Sequence, residues 1–258
     1  MNQTGTPTRF YGEGLPYLSI GSLPGLLIVI EGTDGCGRTT QVNLLREWLE
    51  VQGYGVIETG WTRSKLIGNA IAQAKKGHTL TRITYTLMYA TDFADRLEYQ
   101  ILPALRNGFI VLADRYIYTA IARAVVRGVD PSYARGLFGF AVVPDVVFYL
   151  RLTVPYLVRR VLSCNRMNYW ESGMDLNLGS DLYDCFKKYQ SRLIQQFDKM
   201  AAELGFVTVD ARKAPHRIQA ILREHVAKLL QSRNLTCSLA RTSLGTQAPS
   251  PPSASAAL

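Results

Sequence analysis

Short apolar runs alternate with longer stretches in which apolar residues recur every three or four positions, from Leu26 to about Leu230. Five of the runs have strand length: Leu26–Ile30, Val56–Thr59, Phe109–Ala113, Val146–Leu150 and Phe206–Val209. Between and after them lie amphipathic stretches at residues 39–53, 64–76, 81–107, 116–127, 132–141, 155–165, 181–204 and 215–231. The first of these carries Val42, Leu44, Leu45, Trp48 and Leu49 at helical spacing. Short apolar strands alternating with helices predict a parallel sheet covered on both faces. The expected fold is therefore α/β, three layers deep (α/β/α), around a central parallel sheet of five strands.

The ends of the chain break this pattern. Residues 1–24 form an extension rich in Gly, Pro and Thr, whose Phe10, Tyr11 and Tyr17 are candidates to pack on the domain. The domain is expected over residues 25–232. Beyond Glu224 there is no acidic residue, and residues 233–258 drift into Ser, Ala, Pro and Thr. Such a tail has too little apolar surface to form a core and is expected to be disordered.

The segment after the first strand carries chemistry. Gly32-Thr-Asp-Gly-Cys-Gly-Arg-Thr39 follows the phosphate-binding pattern G-x-x-x-x-G-K-[S/T] except that Arg38 stands where lysine is usual. Phosphate oxygens crowd a backbone, so Gly32, Gly35 and Gly37 supply turns and close approach that a side chain would block. The N–H groups of Gly32, Thr33, Asp34, Gly35, Cys36, Gly37, Arg38, Thr39 and Thr40 are then the candidate ATP-binding set, helped by the positive end of the following helix. Thr39 offers a hydroxyl to a magnesium ion on the phosphates. Arginine keeps the charge of lysine but is bulkier and less easily placed between phosphates. Nucleotide binding is expected to survive with Arg38, and transfer to be slower than with lysine.

Asp114-Arg115-Tyr116 closes the strand that starts at Phe109. In an open parallel sheet, ligands collect at the carboxyl ends of the strands. Asp114 is thus a second candidate for magnesium, and Arg115 for neutralising charge during phosphoryl transfer. Arg38, Asp114 and Arg115 form the candidate catalytic set.

Composition narrows the class further. The net charge of +9 suits a polyanionic ligand, and without a long basic run a nucleotide is favoured over nucleic acid. No apolar run approaches the roughly 18 residues of a membrane helix. The start of the chain lacks the plan of a signal peptide. Cys36, Cys164, Cys185 and Cys237 have no paired spacing, so neither a zinc site nor a disulfide framework is signalled, and a cytoplasmic setting is expected.

Five segments in order carry a resemblance: Glu31 to Thr40, Leu87-Met-Tyr-Ala-Thr-Asp92, Ile101-Leu-Pro-Ala-Leu105, Asp114-Arg-Tyr116 and Pro144-Asp-Val-Val-Phe-Tyr-Leu150. Together they resemble the thymidylate kinase family of P-loop kinases, over about residues 25–230. The resemblance implies transfer of a phosphoryl group from ATP to dTMP, with Mg2+, on a homodimer. By motif position it implies that Asp34 contacts the sugar 3′-hydroxyl of dTMP, that Arg115 meets the phosphates, that Thr119 lies near the base and that Tyr89 sits on the helix lining the monophosphate pocket.

The chain departs from that family at several places besides Arg38. Thr59-Gly-Trp-Thr-Arg-Ser64 replaces an Arg-Glu-Pro-Gly-Gly run, with Arg63 as a shifted substitute. On the substrate helix Phe93 stands where the family has arginine. Arg96, three residues on, either reaches the pocket or pairs with Asp92 at i,i+4 spacing. Ala122-Arg123-Ala124 replaces a glutamine-bearing segment and removes an expected base contact. The lid region, Cys164 to Gly173, contains one arginine, Arg166, with Arg159 and Arg160 on the preceding helix. Three readings stay open at this level: a dTMP kinase, a kinase of another nucleoside monophosphate, or a nucleotide-binding pseudoenzyme.

Overall fold

A computed structural model describes residues 8–18, 20–62, 64–77, 80–163 and 169–233. Five strands form one sheet: β1 (Leu26–Glu31), β2 (Val56–Gly60), β3 (Ile110–Asp114), β4 (Val146–Arg151) and β5 (Val207–Asp210). They lie in the order β2-β3-β1-β4-β5, and each neighbouring pair is parallel. Each boundary falls within a residue of the apolar run that predicted it.

The strands are apolar without alternation because both sheet faces are covered. Leu27, Val29, Val111, Ala113, Val147 and Tyr149 face one core. Their chain neighbours Leu26, Ile28, Ile30, Ile110, Leu112, Phe148 and Leu150 face the other. Period-two geometry sends successive side chains to opposite faces, so a strand buried on both sides needs apolar residues throughout.

The helices are α1 (Arg38–Val51), α2 (Gly68–Lys76), α3 (Arg82–Arg96), α4 (Leu102–Arg106), α5 (Ile117–Val126), α6 (Pro131–Leu137), α7 (Val154–Ser163), α8 (Leu182–Leu204) and α9 (Pro215–Ser232). The single stretch expected over 81–107 is broken by a π-helical turn at Leu97–Ile101 between α3 and α4. That turn sets Gln100 against the sheet edge. Its amide donates to the Glu58 carbonyl at 2.9 Å and its oxygen accepts from Thr59 Oγ1 at 2.9 Å.

Part of the N-terminal segment is built into the domain. Leu15 and Leu23 join the α5 side of the core, and Phe10 and Tyr11 pack against it. Phe10 bridges Val142 in antiparallel fashion, and the Tyr11 hydroxyl bonds that of Tyr118. Tyr17 does not pack as expected: it is 68% exposed. Of the expected tail, residues 233–258, Arg233 caps α9 and the rest lies outside the described residues.

Candidate active site

β1 sits at the centre of the sheet with β3 on one side and β4 on the other, so the chain order reverses at its carboxyl end. That is where an open α/β sheet leaves a crevice. The loop from Gly32 to Gly37 fills it. Gly32 has φ 146°, and a Cβ there would meet Cys36 Sγ and the Leu150 carbonyl oxygen at 2.8 Å each. Gly37, at φ 101°, precedes α1 and leaves its first turn without a side-chain cap or an acidic residue. The free N–H groups of that turn therefore remain for an anion. The Cys36 thiol is buried in the core under the loop, and burial raises its pKa. Cys36 contributes backbone, not a reactive sulfur.

Arg38 is turned inward. Its Nε donates to Asp114 Oδ1 at 2.8 Å, and its Nη1 donates to the carbonyls of Gly32 and Thr33. Its Nη2 lies 3.7 Å from Asp34 Oδ1. Holding the loop carbonyls beneath the loop leaves the N–H groups to face the crevice. Thr39 Oγ1 donates to the other oxygen of Asp114 at 3.0 Å, which sets the two candidate magnesium ligands side by side. Asp34, Arg38, Thr39 and Asp114, with Arg115, Arg160 and Glu171, line a cavity of about 490 Å³.

Arg115 has φ 74°, a left-handed conformation rare for a residue with a side chain. Its N–H is fixed by the Ile30 carbonyl at 3.0 Å, and its guanidinium pairs with Asp34. Burial, joined by the nearby charge of Arg123, pushes its pKa down to about 10. Glu31 orders the same corner from below. It is fully buried, and one carboxylate oxygen accepts from the N–H groups of Tyr116 at 2.8 Å and Thr119 at 3.2 Å. A strand carboxylate thus caps the start of α5. Burial raises the Glu31 pKa, and the Thr119 hydroxyl, bonded to its second oxygen at 2.5 Å, opposes the rise.

An aromatic cluster lies beyond Asp34. Trp61 and Tyr89 have ring centroids 4.5 Å apart, Tyr85 and Tyr89 4.6 Å, and Tyr85 and Trp170 5.8 Å. Two arginines serve it, Arg123 on α5 and Arg127 at its C-terminal cap. Arg127 lies over Tyr85 at 4.6 Å and pairs with Asp175 at 2.8 Å. Arg123 lies over Trp61 at 5.5 Å and donates to Asp34 Oδ2 at 2.7 Å.

A cradle of backbone amides, a β3 Asp-Arg pair and an adjoining aromatic cluster are the parts of a phosphate-transfer site. The family described as Thymidylate kinase matches residues 30–222. The chain belongs to the thymidylate kinase family. It is 40% identical to the probable thymidylate kinase 2 of Saccharolobus solfataricus over 81% of this chain and 98% of that relative. It is 32% identical to the thymidylate kinase of Bifidobacterium longum subsp. infantis over 80% of this chain and 91% of that relative. With the probable thymidylate kinase of Pyrococcus abyssi it shares 34% identity over 59% of this chain and 77% of that relative.

Against the site expected for that family, the structure brings together Gly32 to Thr40, Asp114 and Arg115, and sets Tyr89 in the aromatic cluster. Three other substrate candidates are placed elsewhere. Phe93 is a core residue, edge-on to Tyr116 with centroids 4.9 Å apart. Arg96 takes the second of its two readings: Nε pairs with Asp92 at 2.9 Å and Nη1 donates to Thr59 Oγ1 at 3.1 Å, with the side chain buried. Asp92 also accepts from the N–H groups of Thr62 at 3.3 Å and Ser64 at 3.1 Å, so the pair supports the loop after β2. Thr119 spends its hydroxyl on Glu31.

Of the lid arginines, Arg160 reaches back to the phosphate loop, donating to the Cys36 carbonyl at 3.1 Å and the Ala211 carbonyl at 2.9 Å. Arg159 is exposed beside Tyr156. Arg63 and Arg166 lie outside the described residues. The end of the expected aromatic flap is anchored: Trp170 is buried and donates to the Lys75 carbonyl at 2.8 Å.

Two residues do more at this corner than their local sequence indicates, and each leaves a signal. Glu31 ends an otherwise apolar strand, so a buried carboxylate there demands donors. Arg123 sits among Ile121, Ala122, Ala124 and Val125, a cation on an apolar helix that requires a partner inside the fold.

Proposed function

We propose that the chain transfers the γ-phosphoryl group of ATP to dTMP, giving ADP and dTDP, by direct in-line displacement. One observation carries this reading: in a chain of the thymidylate kinase family, the amide cradle and the Asp114-Arg115 corner line the same cavity. The loop N–H groups hold the donor phosphates. Arg115 neutralises charge that builds on the transferring group, and the low-dielectric crevice makes that interaction stronger than in water. No side chain needs to form a covalent bond; positioning and electrostatics suffice. Arg160 tethers α7 to the loop and holds that side of the cavity closed.

Thr39 and Asp114 fit a magnesium ion, since their oxygens are adjacent and open on the cavity. Such an ion supplies charge neutralisation on the phosphates. A homodimer and a cytoplasmic setting complete the proposal. The half-exposed Ile83 and Leu87 on α3, with exposed Tyr99 beyond it, support a self-associating face. Among the described residues no helix is long and apolar enough to cross a membrane.

The test is ATP consumption by the purified chain with magnesium, run against a panel of nucleoside monophosphates. Preferred turnover on dTMP is the expected result. Preference for another monophosphate overturns the acceptor assignment, and nucleotide binding without transfer overturns the enzyme.

A further inference from the structure

Arg123 is 3% exposed, yet its Nε has no hydrogen-bond partner. One more buried nitrogen near it shares that condition, Arg115 Nε. Both can only donate. Buried donors are almost always satisfied, so two orphans at one place point to a missing acceptor.

The missing acceptor is anionic. Arg115 and Arg123 each place a terminal nitrogen on one oxygen of the same Asp34 carboxylate. Two planar forks converging on one small oxyanion is the arrangement that phosphate recognition uses. A carboxylate has two oxygens and serves the Nη2 atoms only. A phosphate monoester has three terminal oxygens and can satisfy the Nε atoms as well. The other charged groups around the corner have roles of their own or stand on its rim: Arg38 is tied to Asp114, Arg127 to Asp175, Glu171 lines the cavity, and Lys75 is on α2.

We propose that Arg123 is an acceptor-binding residue that, with Arg115, clamps the monophosphate of the acceptor, Asp34 pairing with both arginines until the phosphate binds and then being released to the sugar 3′-hydroxyl. The guanidinium lies over Trp61, 5.5 Å from its centroid, which leaves its nitrogens to the phosphate and the aromatic cluster to the base. In this segment the expected base contact is lost, and the cation at position 123 adds a charged contact to the phosphate. The inference rests on the kinase reading above for the identity of the acceptor, though not for its phosphate.

The experiment is calorimetric binding of dTMP and of thymidine to the parent, Arg123→Gln and Arg123→Lys, with the KM for ATP measured alongside. Arg123→Gln is expected to weaken dTMP about tenfold or more, as loss of a charge-assisted bond does. Thymidine affinity and the KM for ATP stay unchanged, and Arg123→Lys recovers part of the loss. Equal weakening of dTMP and thymidine overturns the proposal in favour of a base contact, and no weakening of either leaves Arg123 structural. Should Arg123→Gln fail to fold, the lysine variant alone decides, since loss of the fork must lower the dTMP-to-thymidine affinity ratio. A parent that prefers another monophosphate refutes the dTMP assignment only, and the same ratio is then read with that nucleotide and its nucleoside. A parent that binds no monophosphate more tightly than its nucleoside overturns the clamp.

Discussion

The two halves of the site are made of different material. The donor half is backbone: a loop of consecutive residues from Gly32 to Gly37, shaped by glycine torsions and tied from within by Arg38. The acceptor half is side chain: Trp61 after β2, Tyr85 and Tyr89 on α3, Arg123 on α5, Arg127 at its C-terminal cap, and Trp170 in the segment before α8. A backbone cradle tolerates change in side chains and fails when torsions change. A side-chain chamber behaves in the opposite way, since each member can be exchanged while the fold stands. Family members can therefore differ in acceptor contacts while keeping one phosphate loop.

Arg115 stands where the halves meet, and its removal tests the comparison most severely. Arg115→Ala is expected to lower kcat by about a thousandfold, the loss typical when transition-state charge goes unneutralised. A change confined to KM, with kcat intact, would assign it to binding alone. Next in size is Gly32→Ala. The new methyl meets the Leu150 carbonyl in a backbone region that disfavours side chains. Strain of about 1–3 kcal/mol is expected. It should appear as a lower melting temperature and weakened ATP, with dTMP binding much less affected. Equal loss of both ligands would contradict the division into halves.

Arg160→Ala removes a tether between α7 and the loop. A rise in the KM for ATP of about three- to tenfold is expected, as for one lost hydrogen bond, with dTMP affinity unchanged. Arg38→Lys sharpens the donor half. ATP binding should persist and turnover should equal or exceed the parent's. A slower lysine variant would show that the inward ties of Arg38 to Gly32, Thr33 and Asp114 matter more than a mobile charge.

The smallest effect is electrostatic and depends on pH. Burial raises the folded-state pKa of Glu31 above its unfolded value, so the folded state holds the proton more tightly. That contribution is fully present below the unfolded pKa of about 4.3 and is lost as pH rises through the folded pKa. Glu31→Gln keeps an acceptor for Tyr116 and Thr119 without the ionisation. Its melting temperature should gain on the parent's as pH rises through that window, by about 2–4 °C for each kcal/mol. A gap that is constant with pH would mean that Glu31 ionises no more reluctantly in the fold than in the unfolded chain.

Most of the donor half was legible along the chain. The strand run, the glycine spacing and Thr39 lie within a few residues of each other, and Asp114-Arg115 closes a strand whose apolar run is plain. Elements bounded by such runs came out within a residue for the strands, because burial on both faces leaves little choice of residue. The π-helical turn inside 81–107 was not legible: its apolar spacing reads as one helix, and the contact that distinguishes it, Gln100 to β2, spans 42 residues.

The sequence by itself determined the layered α/β fold, the phosphate loop and the place of Asp114-Arg115, because these depend on local spacing and on which faces must be buried. Only the tertiary structure decided where long side chains go. It turned Arg38 under its own loop, put Phe93 in the core and Arg96 against Asp92, and brought Arg123 across 89 residues of chain to Asp34. The reason is physical: an arginine or aromatic side chain reaches several directions from one backbone position. The partner that desolvation demands, whether carboxylate, carbonyl or ring, selects among them, and that partner comes from another element of the fold.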